Sequence, residues 1–172
     1  MGNTKLPVVG RFMRVSDERF EADFADAFPN ADVTAAKAAV KLPVRATAGS
    51  AGYDFVVPCD LTLAPGETVK IPTGIRAQIA DGWVLCVFPR SGLGFKYRIQ
   101  LDNTVGIIDS DYFGSDNEGH IFIKITNDGK AGKTLSLKAG DGFAQGIFLP
   151  FGVTEDDEAT AKRNGGFGST SK

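Results

Sequence analysis

From about Val40 onward this chain is expected to fold as an all-β domain, a sandwich, jelly roll or barrel. Short runs rich in Val, Ile, Phe and Thr recur there, in ETVKIPT, IRAQI, WVLCVF, HIFIKIT, KTLSLK and FAQGIF. Turn chemistry separates them at near-regular spacing, in APGE, ADG, SDNEG, NDGKAGK and AGDG. Glycine accounts for 21 of 172 residues, above the usual share of about 7%. That excess fits tight turns, and it also fits backbone that approaches a ligand closely.

The segment before these strands has a different texture. Residues 16–40 carry a helical pattern. Ser16 is placed to cap a helix, with Asp17 and Glu18 in the first turn, where the helix dipole favours anions. Phe20, Phe24 and Phe28 follow at spacing four, which sets three rings on one face. Pro29 ends that helix, and Asp32 is placed to cap a second, short one through TAAKAAV. The ring face is expected to pack on the protein's own body, although a partner-binding face has the same spacing. At the other end, the acidic run 155–158 reads as a solvated linker leading to the tail.

Composition narrows the function. A length of 172 residues fits one domain with a real core, and 42% hydrophobic residues argue against global disorder. With 19 Lys and Arg against 21 Asp and Glu, no basic excess points to a nucleic-acid polymer. A small anionic ligand needs only a few local donors and stays open. Cys59 and Cys86 form no CxxC and are expected as buried thiols. His120, the single histidine, leaves little room for Ser-His-Asp or His-rich metal schemes and reads as a sheet-surface or loop residue. The start has no signal-peptide apolar core, and no run approaches a membrane span, so a soluble cytoplasmic protein is expected.

Four stretches fall outside routine strand or turn. In SAGYDF, Asp54 stands between Tyr53 and Phe55, which suits a carboxylate facing a polar pocket. In FPRSGLGFK, Arg90 offers a planar fork for phosphate oxygens, Ser91 a hydroxyl and Gly92 an unobstructed amide, although RSG alone also reads as a turn. In LDNTVGIIDSDYFG, period-two alternation predicts Asp109 and Asp111 on one face and Ser110 on the other. Two such carboxylates could hold a metal or activate water, and equally could close an acidic turn. Asn103 adds an amide able to read a donor–acceptor pattern. The tail, NGGFGSTSK, sets one ring, Phe167, among small residues. Such a segment can fray, or it can close over a planar, anionic ligand, a description that matches a nucleotide.

Taken together, AGYD, PRSGLGFK, NTVGIIDSDYFG, GDGFAQGIF and GGFGSTS resemble, in order, the five motifs of the homotrimeric deoxyuridine triphosphatase (dUTPase) family, over roughly residues 41–172. The resemblance implies a dUTPase-like β jelly roll, assembled as a trimer whose active sites are shared between subunits. It implies hydrolysis of dUTP to dUMP and pyrophosphate with Mg2+, which lowers dUTP and supplies dUMP for thymidylate synthesis. Asp109 matches the base that deprotonates the attacking water. Asn103 with Gly106, Ile107 and Ile108 matches the uracil-gripping hairpin, and Tyr112 the ring that packs on deoxyribose. Arg90, Ser91, Gly92 and Gln145 match triphosphate contacts, and Asp54 a residue reaching the metal through water. Phe167 matches the ring that covers uracil, with Gly168, Ser169 and Thr170 near the phosphates.

The resemblance divides the chain into a helical extension, residues 1–40, a catalytic β jelly roll, 41–153, and a linker with a flexible glycine-rich lid, 154–172. There are departures. Gly142 stands where the family usually has a basic residue, and Ser171 where a glycine is frequent. Either Lys162 or Arg163 aligns with the tail's usual arginine, and Arg163 is preferred for its bidentate chemistry. The loop 115–119 looks like an insertion forming a solvated turn. Two other readings share the pattern: a dCTP deaminase or bifunctional relative on the same fold, and a nucleotide-dependent regulator that engages a protein through residues 1–40.

Overall fold

Alternation of apolar and polar residues is what turns most of this chain into strands. The computed structural model describes residues 6–130 and 132–161. In order, the elements are β1 (Gly10–Arg14), α1 (Asp17–Ala27), α2 (Val33–Ala39), β2 (Val44–Arg45), β3 (Tyr53–Val56), β4 (Leu61–Leu63), β5 (Thr68–Pro72) and β6 (Ile75–Ile79). They continue with β7 (Trp83–Pro89), α3 (Ser91–Tyr97), β8 (Ile99–Leu101), β9 (Gly106–Ile108), β10 (Phe122–Asn127), β11 (Leu135–Leu137) and β12 (Gly142–Pro150). A 3-10 turn, Ser110–Gly114, follows β9.

All the strand pairs are antiparallel, in a jelly-roll-like set of sheets. The largest sheet has the order β2-β3-β12-β7-β9, a second has β5-β10-β8, and β1-β6 and β11-β4 form two-stranded ribbons. Period two is plain in β10, where Ile123, Ile125 and Asn127 point inward and Lys124 outward, and in β6, where Ile75, Ala77 and Ile79 are buried. The core joins both sheet systems through Phe55, Ile71, Leu85, Ile125, Leu135 and Phe143.

The helical extension forms as its caps require. The Ser16 hydroxyl accepts from Arg19 N at 3.1 Å, and Asp32 Oδ1 accepts from the amides of Thr34 and Ala35. Helix α1 turns Phe20 and Phe24 onto the body, where they are 2% and 0% exposed, with Phe28 packed beside them. Burying rings of this size contributes about 2–3 kcal/mol each. Lys37 of α2 ties the helices together, 2.5 Å from Glu21 and 3.1 Å from Asp17.

Several expectations are corrected. GRFMR, inside the extension, is strand β1, paired with β6 from Gly10 opposite Ile79 to Arg14 opposite Ile75. Arg11 and Arg14 flank the adjacent pair Phe12 and Met13, so no alternation signals a strand. RSG does not form a turn; Arg90 is the N-cap of helix α3, Ser91–Tyr97, which Arg98 ends in the left-handed region, φ 52°. His120 does stand in a loop, just ahead of β10, but it is no surface residue: it is fully buried. Gly74 N donates to its Nε2 at 2.8 Å, and its Nδ1 lies 2.5 Å from Asp23 Oδ2. The loop 115–119 is no solvated turn either. Ser115 is 4% exposed, and Glu118 accepts from the amide and hydroxyl of Ser16 at 2.8 and 2.7 Å. Cys86 is buried as expected and Cys59 only half-buried; both are free thiols. Residues 155–158 are exposed, as a linker should be.

Candidate active site

One cleft, of about 430 Å³, gathers Asp54, Arg90, Ser91, Gly92 and Gln145. The sheet explains why. Asp54 on β3 lies opposite Gln145 on β12, which lies opposite Phe88 on β7. Pro89 ends β7, and the chain enters α3 through Arg90. Arg90 Nε stands 3.4 Å from Asp54 Oδ1, and Gln145 Nε2 donates to the Pro89 carbonyl at 3.1 Å. Gly142 has a direct part in this cleft. A Cβ there would sit 2.5 Å from Arg90 Nη1 and 3.2 Å from its Cζ. The glycine that departs from the family pattern is therefore the surface on which the arginine lies.

A second cavity, of about 240 Å³, lies at the hairpin and is lined by Asn103, Gly106 and Ile108 together with Val87, Leu101 and Lys124. Its two strands belong to different sheets. β8 is an edge of one and β9 an edge of the other. Backbone donors and acceptors on such edges are unpaired by sheet neighbours and available to the edge of a planar ligand. Gly106 lets β9 approach β7 closely, since a Cβ would stand 3.1 Å from that of Val87. Ile107 is half-exposed on this edge, and Ile108 is buried. Asp102 anchors the hairpin to β10, 2.8 Å from Lys124 Nζ and accepting from the Thr126 hydroxyl at 2.5 Å. The Lys124 contact, then the hydroxyl, hold its carboxyl below the usual range.

The stretch expected to carry the catalytic carboxylate departs from the alternation expected of it. The strand ends at Ile108, and Asp109 is the N-cap of the 3-10 turn that carries Asp111 and Tyr112. Asp109 and Asp111 therefore do not share a strand face; a turn with three residues per repeat replaces period two. Asp109 is half-exposed and Asp111 exposed. Tyr112 is 3% exposed, its hydroxyl donating to the His120 carbonyl at 2.7 Å and accepting from Asn117 Nδ2 at 2.8 Å. Arg76, unflagged by the sequence, fixes the same turn. Its guanidinium donates to the Phe113 carbonyl at 2.6 Å and lies over the Phe113 ring. No sequence spacing ties residue 76 to 113.

Burial, with Asp109 nearby, pushes the Cys86 thiol up. Among the described residues no cluster of three or more His, Cys, Asp and Glu could hold a metal ion. Arg163, Phe167, Gly168, Ser169 and Thr170, with Lys162 and Ser171, lie outside the described residues. Among those described, no helix is long and apolar enough to cross a membrane, which says nothing of β-barrels.

The two cavities share no lining residue. Ile108 lies opposite Leu85, three residues along β7 from Phe88, and three strand spacings separate β9 from β3. At ~4.8 Å per strand and ~3.3 Å per residue, Asp54 and Ile108, which leads into the 3-10 turn, are roughly 17 Å apart in one chain.

Fold and site thus define a mostly β protein with an open-edged hairpin cavity and a separate cleft lined by Asp54, Arg90, Ser91, Gly92 and Gln145. The chain belongs to the dUTPase family, whose family model matches residues 38–171. It is 41% identical to the deoxyuridine 5'-triphosphate nucleotidohydrolase of Lactococcus lactis subsp. lactis over 136 residues, 77% of this chain and 89% of the relative. It is 41% identical to the protein of that name from Tolumonas auensis over 139 residues, 76% of this chain and 87% of the relative. The crystal structure of dUTPase from Streptococcus mutans superposes with a TM-score of 0.61 at 34% identity, covering 84% of this chain and 98% of that one. A dUTPase from phage phi11 of S. aureus, described with a structural Mg(II) ion, shares the fold at 24% identity, TM-score 0.58, over 72% of this chain and 92% of that one.

Proposed function

We propose that this chain hydrolyses dUTP to dUMP and pyrophosphate, with Mg2+ as cofactor, in a homotrimer whose active sites are shared between subunits. One observation carries the reading: in a dUTPase-family chain, the anion cleft and the base hairpin are both formed, yet about 17 Å apart by strand spacing. Both must act on one nucleotide. A general base works within hydrogen-bond reach or through one water. Asp109 of one copy therefore meets Asp54 and Arg90 of another, and each site is completed by assembly.

At the hairpin, Asn103 and the backbone of Gly106, Ile107 and Ile108 bond the uracil edge. A C5-methyl would strike that backbone, and the amino group of cytosine would reverse one donor–acceptor pair; buried mismatches of this kind discriminate strongly. Tyr112 lies under the deoxyribose. The Asp109 carboxylate takes a proton from water as the water oxygen bonds to the α-phosphorus. The bond from that phosphorus to its bridging oxygen breaks, and pyrophosphate leaves with the electron pair. Arg90, the Ser91 hydroxyl, the Gly92 amide and Gln145 orient the phosphates, and orientation and charge neutralisation are most of what this chemistry needs.

Asp54 fits a magnesium contact made through water. It is a single half-buried carboxylate beside an anion cleft, and Mg2+ keeps its waters and leans on phosphates rather than on a protein cage. When bound, the ion would neutralise phosphate charge. In the tail, Phe167 covers the uracil, and Arg163, Gly168, Ser169 and Thr170 meet the phosphates.

A substrate panel tests the activity. With Mg2+, pyrophosphate release is expected from dUTP and far less from dCTP, dTTP or UTP; equal release from all four would overturn the reading. Ammonia from dCTP would point to the deaminase relative instead. The regulator reading loses its motivating surface, because Phe20 and Phe24 are turned inward.

A further inference from the structure

Helix α1 is joined to the turn carrying Asp109 and Tyr112 by two polar links. The inner link runs from Asp23 to the buried His120 ring, 2.5 Å away, and from the His120 carbonyl to the Tyr112 hydroxyl, 2.7 Å. Because Nε2 of His120 accepts from Gly74 N, the ring proton sits on Nδ1 and is donated to Asp23. The outer link runs from Ser16, the α1 cap, to Glu118 in the loop after the turn. Arg19 braces Asp23 from within the helix, with Nε 3.0 Å from Oδ2 and Nη2 2.5 Å from Oδ1. Phe20 and Phe24 press the helix onto the same region, Phe20 with its ring centroid 6.4 Å from that of His120.

We infer that the helical extension acts as a backstop for the sugar pocket: Asp23, through His120, holds the Tyr112 ring so that it cannot retreat from a ribose 2′-hydroxyl. The inference rests on the proposed reading of Tyr112 as the ring beneath the deoxyribose. Its physical core is the burial of that ring. A side chain packed on all sides in a dense interior excludes an extra atom only while its packing cannot give. Tyr112 is 3% exposed, and its hydroxyl is bonded to a residue that is itself clamped between α1 and the β5–β6 turn. Residues 16–27 lie ahead of the stretch matched by the family, residues 38–171, so this support is supplied from outside the motifs. Asp23 and His120 are positioning residues in this scheme; neither touches substrate.

The test is the ratio of kcat/KM for dUTP to that for UTP, measured on the full-length enzyme. Asp23→Ala is expected to lower that ratio about tenfold, mainly through a gain on UTP. Asp23→Asn, which still accepts from His120 Nδ1, is expected to restore it. In a Tyr112→Phe background, which keeps the ring and cuts its bond to His120, Asp23→Ala is expected to have little further effect. A merely structural role would lower both activities in parallel, leave the ratio unchanged and add to Tyr112→Phe; that result overturns the inference. Should Asp23→Ala fail to fold, Ser16→Ala, at a half-exposed position on the outer link, is read by the same two outcomes. Wild-type enzyme with no turnover of dUTP would instead overturn the proposed function on which the inference stands.

Discussion

At the scale of single residues, the site depends on where one carboxylate sits. Asp109 follows the last residue of β9 and opens a 3-10 turn, so it leaves the sheet at the rim of the hairpin cavity. Asp109→Asn keeps the shape and removes the base. Turnover of dUTP is expected to fall by about 10² or more, as loss of a general base commonly does; full activity in that variant would remove the role assigned here. His120 governs a different property. Burial lowers its pKa, and Asp23 only partly opposes this, with Arg19 of α1 and Glu118 of the following loop also facing the ring. The unfolded chain binds a proton at His120 below about pH 6.5, and the folded chain does not. Stability is therefore expected to fall as pH drops from 6.5 towards the lower folded value, and to be unaffected by this group above it. Melting temperature against pH would show the slope, and His120→Gln should flatten it; identical slopes would refute the assignment.

At the scale of elements, most strands were legible in the sequence because they are half-buried. IRAQI, HIFIKIT and KTLSLK became β6, β10 and β11 with the inward residues that alternation predicts. Helix α1 was legible for a similar reason, its cap and ring spacing being local. What stayed hidden depends on distant partners. β1 is a strand because β6 offers an edge to it, and α3 forms in a glycine-bearing stretch after Pro89 ends β7. The burial of His120 in its loop stayed hidden because nothing local tells that Gly74 and Asp23 close on it. The site was read from motif strings rather than periodicity. Where periodicity was used, for Asp109 and Asp111, the turn overruled it. The tail belongs to this scale too. Removing residues 163–172 is expected to lower turnover while leaving the rest folded; unchanged kinetics would count against closure over the base.

At the scale of the whole molecule, the cleft at Asp54 and Arg90 and the hairpin cavity at Asn103 share no lining residue within one chain. If copies complete one another, two inactive variants should repair each other. Asp109→Asn and Arg90→Ala subunits, mixed under conditions that let them exchange, are expected to recover part of the wild-type rate. Some mixed sites then pair an intact Asp109 with an intact Arg90. Mixtures no more active than their components, despite shown exchange, would place the whole site within one chain. The resting place of Arg90 on Gly142 has a consequence of its own. Among the described residues, that cleft is lined by one guanidinium and one carboxylate side by side, so its walls are close to electrically neutral, in a protein of net charge −2. On the proposed reading, a phosphate tail would find little net charge in those walls until Mg2+ and Arg163 join them, and the Ser91 hydroxyl and Gly92 amide would hold it by shape and direction as well as by charge.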